Sequence, residues 1–141
     1  MVFQKILVPL DGSEHSGRAL EASIQLAKEL NSKLALFTVY SVTGVAGPDP
    51  GSTVMAIRAA CDSCKKTLAE AEQKVKSEAI EVETQVAEGN AVDEIVKKSK
   101  EGRFDLIVMG ARGLSTLKKI LVGSVSEGVI KNAPCPVLIV K

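Results

Sequence analysis

Three stretches of this chain carry apolar side chains at nearly every position: Lys5 to Leu10, Lys33 to Tyr40, and Leu106-Ile107-Val108-Met109 within Phe104 to Met109. Side chains along a strand point alternately to its two faces, so a run without polar alternation belongs to a strand buried on both. Such strands need cover above and below. Each of these runs leads on to a segment of helical periodicity, and strands alternating with helices imply a doubly wound α/β sheet with parallel strands and right-handed crossovers.

The chain can be laid out on that plan in order. The first strand, Lys5 to Leu10, has Pro9 near its end, where a missing N–H does least harm. Asp11-Gly12-Ser13 is turn chemistry leading to a helix from about Glu14 to Leu30, with Leu20, Ile24, Ala27 and Leu30 on one face. Asn31-Ser32 ends it, and Lys33 to Tyr40 is the second strand. Ser41 to Thr53 holds three glycines and two prolines and reads as a loop, longer than an ordinary connection. A helix follows from about Val54 to Ser77. Its apolar stripe, Val54, Ile57, Cys61, Cys64, Leu68, Ala71 and Val75, advances by threes and fours and is expected to pack on the domain's own sheet.

Glu81 to Ala87 alternates polar residues with Val82 and Val86, as a half-exposed edge strand does. Gly89-Asn90 caps a helix from about Ala91 to Lys100, which Gly102 ends. The strand Phe104 to Met109 comes next, then a glycine-bearing loop and a helix from about Ser124 to Lys131. Ala133-Pro134 stops that helix before a last strand, Cys135 to Val140. Five strands in 141 residues make one domain, 1–141.

Several function classes drop out on composition. A net charge of +1 with interleaved signs offers no basic stripe for nucleic acid. The apolar runs fall far short of the ~20 residues that span a membrane, and Met1 to Lys5 leads straight into a strand without a leader pattern, so a cytoplasmic protein is expected. Three cysteines do not make a disulfide framework. Cys61-x-x-Cys64 invites zinc or redox chemistry, yet it lies inside a helical pattern on the apolar stripe, and a buried packing role is expected. No G-x-x-x-x-G-K-[S/T] occurs, and the first strand–helix turn, DGSEHSG, lacks G-x-G-x-x-G, which sets aside P-loop and dinucleotide sites.

One stretch does carry chemistry. Gly110 stops the Leu106–Met109 run, Gly113 follows, and nine residues later Gly123-Ser124 leads into a helix. Glycines at a strand's end and before a helix suit a cradle of backbone N–H groups around phosphate. Two plainer readings stay open. Gly110 and Gly113 can serve a turn, and Ser124-Val125-Ser126-Glu127 has the spacing of a capping box, with Ser124 as N-cap. Asp11 can likewise be a turn residue. Arg112, Lys118 and Lys119 lie in or beside the loop, where they would either neutralise phosphate or stay solvated. His15, near the start of the first helix, has no partner at a spacing that marks a catalyst, and no catalytic or metal-ligating set emerges.

The spacing Gly110-x2-Gly113-x9-Gly123-Ser124 resembles the glycine motif of the universal stress protein family in its ATP-binding branch. The opening Lys5-Ile6-Leu7-Val8-Pro9-Leu10-Asp11-Gly12-Ser13 and the closing Pro134-Cys135-Pro136-Val137-Leu138-Ile139-Val140 are similar to that family's first and last strands. The resemblance implies an adenine nucleotide alpha hydrolase-like sheet of strand order 3-2-1-4-5. It also implies a site built from Pro9, Asp11, Val39, Met109, Gly110, Arg112, Gly113, Gly123, Ser124 and Val125. Asp11 and the Val39 backbone would sit around adenine, and the glycines, Ser124 and the Val125 N–H around ribose and phosphates. The expected ligand is ATP with Mg²⁺ held mainly by phosphates and water. The expected role is regulatory, in stress response, with slow hydrolysis or none and a protein partner the sequence does not name. A slow ATPase and a nucleotide-independent interaction protein remain as alternatives. The last strand, 136–140, is apolar yet placed at a sheet edge, so a homodimer through it is expected.

Overall fold

The structure, a computed structural model, describes residues 2–43, 48–112 and 122–141. Five parallel strands, β1 (Lys5–Pro9), β2 (Lys33–Tyr40), β3 (Val82–Glu88), β4 (Leu106–Gly110) and β5 (Val137–Val140), form one sheet of order β3-β2-β1-β4-β5. Between them run α1 (Glu14–Leu30), α2 (Pro50–Lys76), α3 (Ala91–Glu101) and α4 (Ser124–Asn132). The strand order and the alternation are those anticipated, and the five strands begin and end within two residues of their expected limits.

The two faces of the sheet bury two separate apolar clusters, as period-two alternation requires. Ile6, Val8, Leu34, Leu36, Leu106 and Val108 pack under α1 and α2 against Leu20, Ile24, Leu68 and Val75. Leu7, Ala35, Phe37, Ile107 and Met109 face the other way, onto Ile95 of α3 and Val129 of α4. The central strands β1 and β4 are buried at almost every position, whereas β3 at one edge is largely exposed.

Two departures concern α2. It starts at Pro50, four residues before the apolar stripe, because Asp49 caps it by accepting from Ser52 N at 2.8 Å and Pro50 needs no donor in a first turn. The glycine- and proline-rich stretch is therefore shorter than composition alone indicates. The stripe is also buried only along its second half. Leu68, Ala71 and Val75 are covered, but Val54 is 54% exposed, and Cys61 and Cys64 are only half-buried. A helix of 27 residues outruns a sheet whose adjoining strands have 8 and 7. At ~1.5 Å per residue it spans ~40 Å, against ~25 Å for the strands, so its first turns pass beyond the sheet's carboxyl edge. The buried role expected for the two cysteines is corrected on this ground.

Candidate functional site

The order of the sheet reverses between β1 and β4, where the connections leave to opposite faces and open a crevice at the carboxyl ends. A cavity of about 260 Å³ occupies it. Three elements converge there: the ends of β1 and β2, the end of β4, and the N-terminus of α4.

β1 and β2 form one wall. Leu10 N donates to Phe37 O at 2.8 Å, so the N–H and C=O of Phe37 face β1. Two residues on, those of Val39 face the same way, but the chain after Pro9 has by then turned off through Asp11 and Gly12, whose φ is +83°. The Val39 backbone is thus directed at the crevice, and Pro9, Phe37 and Val39 line it together with Ile95 of α3. Asp11 also reaches the cavity, while its Oδ1 accepts from Ser13 N at 2.9 Å. The turn role and the position beside the crevice coexist in one residue.

β4 and α4 form the other wall. Met109, Gly110 and Arg112 line it from one side and Gly123, Ser124 and Val125 from the other. Nine of the ten residues singled out in the sequence therefore meet around one cavity; Gly113, with Lys118 and Lys119, lies outside the described residues. Gly110 owes its identity to packing. A Cβ there would stand 2.7 Å from the carbonyl carbon and from Cβ of His15, so its absence lets α1 press against the end of β4.

The capping-box reading of Ser124 does not hold. Gly123 is the N-cap of α4, with no side-chain hydrogen bond, and Ser124 is already helical. Glu127 pairs with Lys131 at 3.0 Å. What holds the helix start is Ser126, which sequence reasoning passed over: its buried hydroxyl donates to Gly110 O at 2.7 Å and lies 3.1 Å from Ala111 O. Gly123 N donates to Ala111 O as well. Nothing in the local sequence marks the Ser126 contact, because its partners lie 16 and 15 residues away. Gly123 offers no side-chain cap and none comes from the described residues, so the first turn presents its N–H groups and the positive end of the helix dipole to the cavity.

The arrangement joins an apolar recess with a free backbone edge to an uncapped helix N-terminus and an arginine. It can hold a flat heterocycle at one end and an anion at the other. Among the described residues no group of three His, Cys, Asp or Glu could hold a metal ion. Cys61 and Cys64 do not join the site, and burial, with Cys61 nearby, pushes the Cys64 thiol up, away from the reactive thiolate.

Comparison with known proteins gives consistent results. The model of the universal stress protein family matches residues 3–141. Universal stress protein YxiE of Bacillus subtilis is 38% identical over 152 residues, covering 99% of this chain and 100% of that protein. The solved structure of universal stress protein UspA from Lactobacillus plantarum superposes with a TM-score of 0.91 at 26% identity, covering 100% of this chain and 99% of that one. A universal stress protein crystallised in complex with cAMP is 32% identical, with a TM-score of 0.71 and coverage of 100% and 98%.

Proposed function

Because the chain belongs to the universal stress protein family, we propose that it is an ATP-binding regulatory module of the stress response, acting in the cytoplasm with slow hydrolysis or none. The observation that carries the proposal is the meeting, in one cavity, of the Val39 backbone edge with the uncapped N-terminus of α4. A relative bound to cAMP supports an adenine nucleotide, and the linear triphosphate is favoured by the open N–H groups and Arg112. Adenine lies in the recess of Pro9, Val39 and Ile95, and Asp11 stands beside it. Ribose and phosphates lie along Gly110, Gly123, Ser124 and Val125. Mg²⁺ is held by phosphate oxygens and water, in keeping with the lack of a carboxylate cluster among the described residues. No base or water-orienting group is assignable among the described residues, and slow turnover is the expected outcome. Among the described residues no helix is long and apolar enough to cross a membrane.

Calorimetric titration tests the reading. Wild type should bind ATP, and Asp11→Ala should weaken ATP more than bare triphosphate, by about 1–3 kcal/mol, the scale of a hydrogen bond to a charged group. Equal losses would make Asp11 a turn residue only. No affinity for ATP at millimolar concentration would favour the nucleotide-independent alternative.

The same module is proposed to pair through β5. It is the edge strand beside β4, and Leu138 is 40% exposed on it. Pairing with a second copy would satisfy its free backbone groups and cover that side chain. Light scattering should report a dimer, and Leu138→Pro should lower the mass. A wild-type monomer at micromolar concentration would defeat the pairing.

A further inference from the structure

His15 does not line the cavity, but it touches a residue that does: Arg112 Nη2 lies 3.4 Å from His15 Nε2. A guanidinium has only donors, so Nε2 must accept, and a neutral imidazole then carries its proton on Nδ1. That Nδ1 is buried and has no hydrogen-bond partner among the described residues. A buried donor without an acceptor is rare in native proteins and calls for a reason. The ring cannot easily be relieved by moving its backbone. His15 sits in the first turn of α1, whose start is held by Ser13, and its backbone presses into the space left by the missing Cβ of Gly110. The imidazole is therefore fixed in place, with its satisfied edge turned to the arginine of the cavity.

We propose that His15 is a positioning residue of the nucleotide site: through Nε2 it holds the Arg112 guanidinium at the cavity wall, set for the phosphate chain. The inference rests on the nucleotide reading above and adds a residue to it. His15 makes no contact with phosphate itself. Its orphaned Nδ1–H follows from the tautomer that the arginine requires.

Two measurements decide this. His15 is the only histidine of the chain, so nitrogen-15 NMR of the imidazole, taken where the ring is neutral, reads one tautomer. The free protein should show Nδ1–H, and Arg112→Ala should move the population towards Nε2–H. In calorimetry, His15→Leu should weaken ATP about tenfold, the scale of one lost charge-assisted hydrogen bond. Adenosine affinity should stay within about twofold, because it carries no phosphate for Arg112. His15→Gln, which offers an amide oxygen to the guanidinium, should recover most of the ATP affinity. Combined with Arg112→Ala, His15→Leu should cost nothing further.

Equal loss of ATP and adenosine in His15→Leu would mark a packing role and overturn the assignment. Additive losses with Arg112→Ala, or an Nε2–H tautomer in the free wild type, would also overturn it. If His15→Leu does not fold, the wild-type tautomer and the His15→Gln and Arg112→Ala titrations still decide. If wild type binds neither ATP nor adenosine, the nucleotide reading falls and this inference falls with it, even where the tautomer shows the pair formed.

Discussion

α1 and α4 both begin at the carboxyl edge of the sheet, one on each face, and both carry a buried serine at their third position. The first turn of α1 closes on itself. Ser13 Oγ accepts from Ser16 N at 3.1 Å, and the Ser16 hydroxyl donates back to Ser13 O at 3.0 Å. In α4 the cap is a glycine, and the hydroxyl of Ser126 is spent on the carbonyls at the end of β4. One helix caps a first-turn N–H with its own Ser13, while the other is tied down from below and has no such cap among the described residues. Similar residues at the same offset thus build a side-chain cap on one face and a start without one on the other. The difference comes from what precedes them: a side chain that accepts, or none.

The largest expected effect comes from closing the open turn. Gly123 has φ −75° and ψ 169°, a conformation that any residue adopts, so a side chain there brings no backbone strain. Gly123→Val should reduce ATP affinity at least about 100-fold, roughly 3 kcal/mol, as several phosphate contacts go together. Calorimetry and thermal melting would be run side by side. Unchanged affinity in a folded variant would reduce the contrast between the two helices to one of capping alone.

Next in size is the point where the end of β4 meets the start of α1. Gly110→Ala places a Cβ 2.7 Å from the His15 backbone, and overpacking of this kind costs about 1–3 kcal/mol in urea denaturation. A neutral result would mean that the start of α1 can retreat.

The smallest effects are the most diagnostic of the comparison. Ser13→Ala should destabilise by about 1 kcal/mol, the usual loss of an N-cap, while leaving ATP affinity nearly unchanged in the folded protein. Gly123→Ser should do the opposite, adding a few tenths of a kcal/mol in stability by capping α4 while weakening ATP. If both serine changes moved stability and affinity in the same direction, the two helix starts would not differ in function.

These helices also show where sequence reading stops. Ser13, Asn90 and Gly102 were placed at helix ends from local signals, and the structure agrees because each signal acts over three or four residues. Ser124 and Glu127 carry an equally good local signal, yet the capping box it allows does not form. The competing contact, Ser126 to the carbonyl of Gly110, spans 16 residues of chain and is invisible to spacing. The stripe on α2 failed for a related reason. Its period of three and four describes a face, and the same face is core at Val75 and solvent-facing at Val54, because helix and strand lengths do not match.

Local pattern is enough to set the elements of this chain and their class. Apolar runs without alternation force strands buried on both sides, amphipathic segments between them force helices on two faces, and glycines mark where the chain can turn tightly. Through the family they resemble, the glycine motif and the first and last strands implied ten residues, nine of which line one cavity. How those residues are held is a matter of long-range contacts. The tertiary structure shows that Gly110 yields to His15, that Ser126 rather than Ser124 secures α4, and that Val39 presents its backbone beyond the end of β1. Each of these is a contact between segments far apart along the chain. Propensity and periodicity act within a few residues, so such contacts exist only once the sheet has brought its carboxyl ends together.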